Sequence, residues 1–401
     1  MFGEIKELTV EAAKNSAWHA IWTFPSIIGS ALVIAWGAES AQFLVSQGFA
    51  LTLLALIQTL PEFAVEGVIA WRAGQVPTQA NIGLATANFT GALRLLVGFG
   101  WPLIYYISAI FNLKKHKRGR TLDPIKLDRE HAVELMGLFV PTLYMFIIVA
   151  KASLSIFDSA ILMTMYVIYI SILLRLPPKE TETVEEVEPI PKYVLSRARW
   201  KRNALIWICF LLGAGGIYLV ADPFINSMLS LSVVMGVPTF VFVQWVAPFL
   251  SEFPEKVSAF YWAKTVNKSP MALMNMISSG IAELTLLVSI IPIIYCISRG
   301  GIYAIDFDFH HRVEIMLTAV QSLLGFLLLA NMQFKAYEAM GLFLLFAVQF
   351  VMPSTREAIL IIYGGWIILE VFLALTGFRK LHAFREFRLL LKRHFGKSKP
   401  I

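Results

Sequence analysis

Charged residues are scarce in this sequence. They make up 15% of the 401 residues, whereas 57% are hydrophobic and the mean hydropathy is +0.68. Soluble domains average about 25% charged residues, and one of this composition would aggregate. The composition therefore excludes a soluble protein and predicts an integral membrane protein.

Cysteine and histidine are also few. Cys209 and Cys296 lie in apolar runs, where packing is their expected role. The sequence contains no His-Glu-x-x-His zinc motif, and its histidines lie at or near the ends of apolar runs: His19, His116, His131, His310, His311, His382 and His394. An intramembrane metalloenzyme is therefore disfavoured, and we expect a protein that is not an enzyme and has no cofactor.

The net charge of +7 is the one feature typical of nucleic-acid binders. The basic residues, however, lie between the apolar runs, where the positive-inside rule of membrane proteins accounts for them. We therefore expect membrane lipid and inorganic cations as partners, and no nucleic acid.

Apolar runs of about 20 residues, the length that crosses a bilayer as a helix, predict an all-α polytopic membrane protein. Eleven spans are expected, at 17–37, 41–71, 78–112, 131–150, 154–174, 203–221, 226–263, 270–297, 313–332, 337–352 and 357–377. The second and seventh runs are long and contain Leu-Pro-Glu or Phe-Pro-Glu, so we expect broken or kinked helices there.

Lysine and arginine are distributed unequally between the two sides that these spans define. One side carries 25 of them and the other seven, while Arg94 and Lys256 fall inside spans. The asymmetry predicts a cytoplasmic C-terminus and an external N-terminus, in the plasma membrane.

The most unusual stretch runs from 248 to 283 and contains Ser251-Glu252-Phe253-Pro254-Glu255-Lys256 within an apolar run. Ionisable groups inside a bilayer are costly and mark functional sites by default. A proline break frees backbone carbonyls beside them. The stretch therefore predicts a site for an ion or a charged substrate.

The same pattern occurs earlier, at Gln58-Thr59-Leu60-Pro61-Glu62. Pro77 then matches Pro270, and 80–88 aligns with 272–280. The copies begin five predicted spans apart, so they run in opposite directions across the membrane. We expect the two Pro-Glu breaks to meet near the bilayer centre.

On these two segments the chain resembles the cation/calcium exchanger superfamily, of which the sodium/calcium exchangers are members. Its two repeats carry Gly-Thr-Ser-Leu-Pro-Glu and then Gly-Asn-x-x-Gly-Ser-Asn. The resemblance implies two inverted five-helix repeats, ten core transmembrane helices in all, plus one additional C-terminal transmembrane helix. The implied parts are a surface segment (1–16), the first repeat (17–174), a cytoplasmic linker (175–202), the second repeat (203–352), the extra helix (353–378) and a basic amphipathic cytoplasmic tail (379–401). A disordered tail is the alternative for the last part.

The resemblance also implies cation ligands. Glu62 and Glu255 match the paired acidic ligands of the family. The neighbouring oxygen ligands are matched by Thr59, Ser251, Asn88, Asn275 and Ser279. The chain departs from the family pattern at five positions: Glu252 and Gln58 replace residues with small hydroxyl groups, Gly83 and Gly280 replace asparagines, and Lys256 adds a cation.

The charges of these residues indicate a metal site independently of the resemblance. Five glutamates (Glu62, Glu66, Glu252, Glu255 and Glu283) face two cations (Arg94 and Lys256), which leaves three net negative charges. A divalent cation such as Ca²⁺, which prefers oxygen ligands, would neutralise most of that charge.

Structural roles remain as alternatives for these residues. Glu62 and Glu255 could cap broken helices, Glu252 or Glu255 could pair with Lys256, and Glu283 with Arg94. The serines and Thr59 could be small packing residues, Ser278 among them.

The expected function is secondary antiport of a cation, Ca²⁺ against Na⁺ or H⁺, by alternating access. A transport-inactive membrane scaffold and an exchanger of other cations (Na⁺/H⁺ or Mg²⁺) are the alternatives. The sequence leaves the oligomeric state open.

Overall fold

The computed structural model describes residues 10–41, 43–44, 59–116, 122–176, 184, 187–265 and 268–395, and most of these are helical. The helices are α1 (Val10–Ala17), α2 (Ala20–Ala41), α3 (Leu60–Gln75), α4 (Gln79–Leu95), α5 (Trp101–His116), α6 (Ala132–Lys151), α7 (Ile156–Leu173), α8 (Pro189–Leu195), α9 (Arg199–Met235), α10 (Thr239–Ser251), α11 (Phe253–Lys264), α12 (Ser269–Ala282), α13 (Val288–Arg299), α14 (Phe309–Leu329), α15 (Ala336–Val351), α16 (Arg356–Leu375) and α17 (His382–Phe395).

Five-residue π-helical turns join two pairs of these helices. Leu96–Gly100 connects α4 to α5, and Glu283–Leu287 connects α12 to α13. Each pair therefore forms one long, locally widened helix. Such π turns occur frequently at functional sites, and the second begins at one of the candidate glutamates.

Eight helical stretches in the described part of the chain are long and apolar enough to cross a membrane, and α10 and α15 are shorter apolar helices. The stretches differ in depth: 78% of the apolar window of α14 is buried, against 17% in Pro353–Leu375. The protein is thus a polytopic membrane protein with α14 near its centre and α16 at its lipid-facing edge.

Two pairs of short strands fix the relative direction of α6 and α14. β1 (Ile125–Lys126) and β2 (Ser153–Leu154) flank α6, while β3 (Ile305–Asp306) and β4 (Gln333–Phe334) flank α14. β1 pairs antiparallel with β4, and β2 with β3. The start of α6 therefore lies beside the end of α14, and the two helices run in opposite directions.

The predicted end of the sixth span at 221 is wrong, because α9 continues through Pro223 to Met235. Asp222, within α9, forms an ion pair with Arg72 of α3. The chain turns only at Gly236, whose φ of 67° is in the left-handed region that favours glycine.

The expected break in the seventh predicted span is confirmed, since α10 ends at Ser251 and α11 begins at Phe253. In the first copy, α3 begins at Leu60. Gln58 lies outside the described residues, as does 45–57, so the structure does not test the break that was expected there.

The predicted linker and tail both contact the membrane-spanning helices. Within the linker, the backbone N–H of Glu188 donates to Glu39 Oε1 (3.2 Å), and Trp36 Nε1 donates to Glu188 Oε2 (2.9 Å). In the tail, α17 buries Ala383 and Leu390. Of the predicted surface segment, residues 1–9 lie outside the described part.

Candidate cation-binding site

Prolines place two acidic residues in the first turns of helices. Pro61 and Glu62 begin α3, and Pro254 and Glu255 begin α11. The first N–H groups of a helix have no partner within it, so proline fits there. The positive end of the helix dipole favours a carboxylate at the same place. The repeated Pro-Glu motif thus has a local structural cause.

Three glutamates from separate elements meet inside the protein. Glu62 comes from α3, Glu252 from the break between α10 and α11, and Glu283 from the π turn after α12. Each offers a carboxylate oxygen, and these atoms lie within 4.8 Å of one another. Ser251 Oγ donates a weak hydrogen bond to Glu62 Oε1 (3.4 Å). This glutamate triad consists of fully buried side chains whose like charges repel unless a cation or protons neutralise them.

Glu255 lies beside the triad. Its side chain is 1% exposed, and it interacts electrostatically with Glu62 and Glu252. Ser279 Oγ is close to its carboxylate, but no hydrogen bond of ordinary geometry joins them. Glu255 therefore adds a fourth buried carboxylate to the same region.

Glu66 forms a separate pair with Asn88. Asn88 Nδ2 donates to Glu66 Oε2 (2.7 Å), which leaves Asn88 Oδ1 and Glu66 Oε1 without a hydrogen-bond partner. The amide group is thus oriented with its oxygen free, as a cation ligand requires.

Unsatisfied oxygens are concentrated in these residues. Within the described part of the chain, nine of their buried side-chain oxygens have no hydrogen-bond partner, on Glu62, Glu66, Asn88, Glu252, Glu255, Ser279 and Glu283. A buried polar group without a partner costs about 1–3 kcal/mol, and more if charged. Hard cations such as Ca²⁺ bind six to eight oxygens of this chemical kind, so the donor set fits such an ion.

Lys256 belongs to the site in the way that the structural alternative predicted. Its ammonium group forms an ion pair with Glu252 Oε2, while Glu252 Oε1 has no partner. Glu252 therefore combines both roles: one oxygen holds Lys256, and the carboxylate still belongs to the glutamate triad.

Arg94, in contrast, does not pair with Glu283, so that alternative is wrong. Its guanidinium donates to Glu314 Oε2 (2.6 Å) and to Gln349 Oε1 (3.0 Å). Arg356 also pairs with Glu314. Our sequence reasoning missed Glu314, although a carboxylate one residue inside a predicted span was a signal that could have found it.

The smaller candidate ligands differ in their surroundings. Thr59 is buried at the start of α3, and Asn275 is half-buried on α12. Ser278 Oγ lies 3.2 Å from the hydroxyl of Tyr169 on α7, which is the packing role given as the alternative.

Comparisons with known proteins identify a matching family and similar solved structures. A family model described as sodium/calcium exchanger protein matches residues 15–175 and 205–354. No curated protein sequence matches. The crystal structure of the H⁺/Ca²⁺ exchanger CAX is similar, with a TM-score of 0.85 and 31% identity over 94% of this chain and 91% of that one.

The sodium-calcium exchanger NCX_Mj has the same fold. Its structure, soaked with 100 mM Na⁺ and 10 mM Sr²⁺, matches with a TM-score of 0.54 and 15% identity over 86% of this chain and 99% of that one.

Proposed function

Because this chain belongs to the sodium/calcium exchanger protein family, a family of transporters and not of enzymes, we propose that it exchanges Ca²⁺ against H⁺ or Na⁺ by alternating access. Glu62, Glu252, Glu255 and Glu283 bind the transported ion in this proposal. Asn88, Ser279, Thr59, Ser251, Asn275 and Glu66 complete or orient its oxygen ligands.

The glutamate triad is the observation that carries the proposal. Its three carboxylates come from the first turn of α3, the break between α10 and α11 and the π turn after α12, and all are buried. A divalent cation offsets their repulsion and satisfies oxygens that have no other partner. A purely structural site would have paired these oxygens with donors of the protein.

The negative charge of the site favours the proton as the counter-ion. Four buried carboxylates with one lysine leave excess negative charge when the metal departs, and protons neutralise carboxylates one by one without further ligands. The similarity to an H⁺/Ca²⁺ exchanger supports the same choice. Coupling then results from competition between Ca²⁺ and protons for the same oxygens.

Two inverted repeats are the architecture that we propose for the core. The antiparallel direction of α6 and α14 supports it, as do the paired Pro-Glu helix starts. The protein lies in the plasma membrane in this proposal. Its N-terminus is outside the cell and its C-terminus is in the cytoplasm, and the lysine and arginine distribution supports this orientation.

The test is Ca²⁺ flux in reconstituted vesicles. Glu62→Gln removes one charge of the glutamate triad, and we expect at least about a hundredfold loss of ⁴⁵Ca²⁺ exchange, since a buried charge interaction contributes several kcal/mol. Glu357→Gln, on the exposed start of α16, is the matched control and should retain wild-type flux. Wild-type flux in Glu62→Gln would refute the assignment.

The counter-ion is tested on the wild type. Replacing Na⁺ by choline should leave ⁴⁵Ca²⁺ uptake intact, while collapsing an imposed pH gradient should abolish it. If uptake requires Na⁺, the counter-ion is Na⁺. Absence of both flux and calorimetric Ca²⁺ binding would instead favour the transport-inactive scaffold.

A further inference from the structure

A second polar cluster lies in the interior, apart from the glutamate triad. We call it the arginine network: Arg94, Gln244, Glu314, Gln349 and Arg356. Glu314 is at its centre and pairs with both arginines. Four of the side chains are completely buried and Arg356 is 5% exposed.

Hydrogen bonds connect the members into one unit. Gln244 Nε2 donates to Glu314 Oε2 (2.9 Å), and Arg356 Nη2 donates to Gln244 Oε1 (2.7 Å). The five residues come from α4, α10, α14, α15 and α16. The peripheral helix α16 therefore inserts its first residue into the protein interior, where it meets the central helix α14.

The network carries a net positive charge, because two guanidinium groups share one carboxylate. Gln349 and Gln244 are neutral, so they satisfy donors and acceptors without changing that charge. A buried surplus charge is costly, and Arg356 Nε has no hydrogen-bond partner among the described residues. The net positive charge of the network is therefore the feature that a functional role must explain.

The network shares two helices with the candidate cation site. Gln244 is seven residues before Ser251 on α10, and Arg94 is six residues after Asn88 on α4. At 1.5 Å per residue, these separations are about 10 Å along each helix. The net charges are of opposite sign, negative at the site and positive at the network, and α4 and α10 carry residues of both.

We propose that the arginine network tunes the affinity of the site for its cation electrostatically, by placing one fixed positive charge about 10 Å along α4 and α10 from the site residues Asn88 and Ser251. Its members act as positioning residues that touch no transported ion. The positive charge opposes tight binding of a divalent cation, and so permits its release during the cycle. The inference rests on the function proposed above and adds a specificity determinant to it.

The test changes the charge of the network in both directions. Arg356→Gln makes the network neutral, and Glu314→Gln raises its charge to two. We expect KM for ⁴⁵Ca²⁺ to fall in Arg356→Gln and to rise in Glu314→Gln, by about fourfold at the dielectric constant of water and by more in the protein interior. Loss of contacts alone would shift both variants in the same direction.

The double variant Glu314→Gln/Arg356→Gln separates charge from contact. It removes both ion pairs of Glu314 yet retains the single positive charge of Arg94, so an electrostatic role predicts a KM near that of the wild type. A structural role predicts the largest defect of the series. Arg356→Lys keeps the charge and should also resemble the wild type, which leaves a decisive comparison if Glu314→Gln fails to fold.

Arg299→Gln is the matched control, an exposed arginine at the end of α13, and should leave KM unchanged. Shifts of the same sign in Arg356→Gln and Glu314→Gln, or a double variant worse than either, would overturn the inference. A wild-type protein that carries no Ca²⁺ contradicts the proposed function alone, since the series is then measured with the cation that it does carry.

Discussion

Lys256 is the residue whose chemistry is least expected beside a cation site. Its ammonium group pairs with Glu252, a member of the glutamate triad, so it occupies a carboxylate that a bound monovalent cation or proton would otherwise neutralise. We propose that this fixed ammonium group replaces one mobile positive charge.

Replacing Lys256 by methionine tests this explanation. The variant keeps an unbranched side chain, one atom shorter, and removes the charge, so we expect about one additional proton or Na⁺ to be carried per Ca²⁺. The equilibrium Ca²⁺ gradient at a fixed counter-ion gradient measures the ratio in vesicles.

Lys264→Met is the control for this change. Lys264 lies at the end of the same helix, with its ammonium group 4.0 Å from the ring centre of Phe260, and the coupling ratio should be that of the wild type. An unchanged ratio in Lys256→Met would contradict the ammonium-substitute interpretation.

At the scale of elements, the contact between α4 and α10 depends on a glycine, and among the described glycines it is the one at which an added Cβ would meet another atom most closely. A Cβ atom at Gly91 would lie 1.8 Å from the backbone oxygen of Gln244. A backbone oxygen cannot rotate away, so only glycine permits this approach. The contact sets the spacing of the two helices that carry Asn88 and Ser251.

Gly91→Ala should therefore force α4 and α10 apart. We expect a loss of at least about 1–3 kcal/mol of stability, the usual cost of overpacking, together with reduced transport. Thermal unfolding in detergent, followed by size-exclusion chromatography, measures the first effect.

Gly364→Ala is the control at this scale, because a Cβ there has no atom within 4 Å. It should not lower the unfolding temperature. If Gly91→Ala were as stable as Gly364→Ala, the described approach of the two helices would be incorrect.

At the scale of the whole molecule, Arg379 attaches the C-terminal helices to the core. It lies between α16 and α17, pairs with Glu338 (2.6 Å) and Glu370 (2.6 Å), and donates to the carbonyl of Leu328 (2.7 Å). All three side chains are buried. The tail helix is thus anchored by the protein in addition to any membrane surface.

Arg379→Gln leaves two buried carboxylates without their cation. We expect it to cost about 3–5 kcal/mol of stability, seen as a lower unfolding temperature in detergent. Arg388→Gln, exposed on α17, should not change it. Equal unfolding temperatures of the two variants would show that Arg379 does not anchor the tail.

Composition and short motifs were sufficient to predict the membrane class and the glutamates that meet in the site. Apolar runs report burial in lipid directly, and Pro-Glu at a helix start has a local cause. The partner of Arg94 was not predictable in this way, because Glu314 is 220 residues away. The pairing of Asp222, inside α9, with Arg72 of α3 likewise joins residues 150 positions apart.

The two strand pairs that flank α6 and α14 have a mechanical consequence. Backbone hydrogen bonds join these helices at both of their ends, so neither can slide lengthwise past the other without breaking a pair. Any motion that exposes the glutamates first to one compartment and then to the other must leave α6 and α14 paired in this way. In the transport cycle proposed above, the moving parts are therefore expected among the remaining helices.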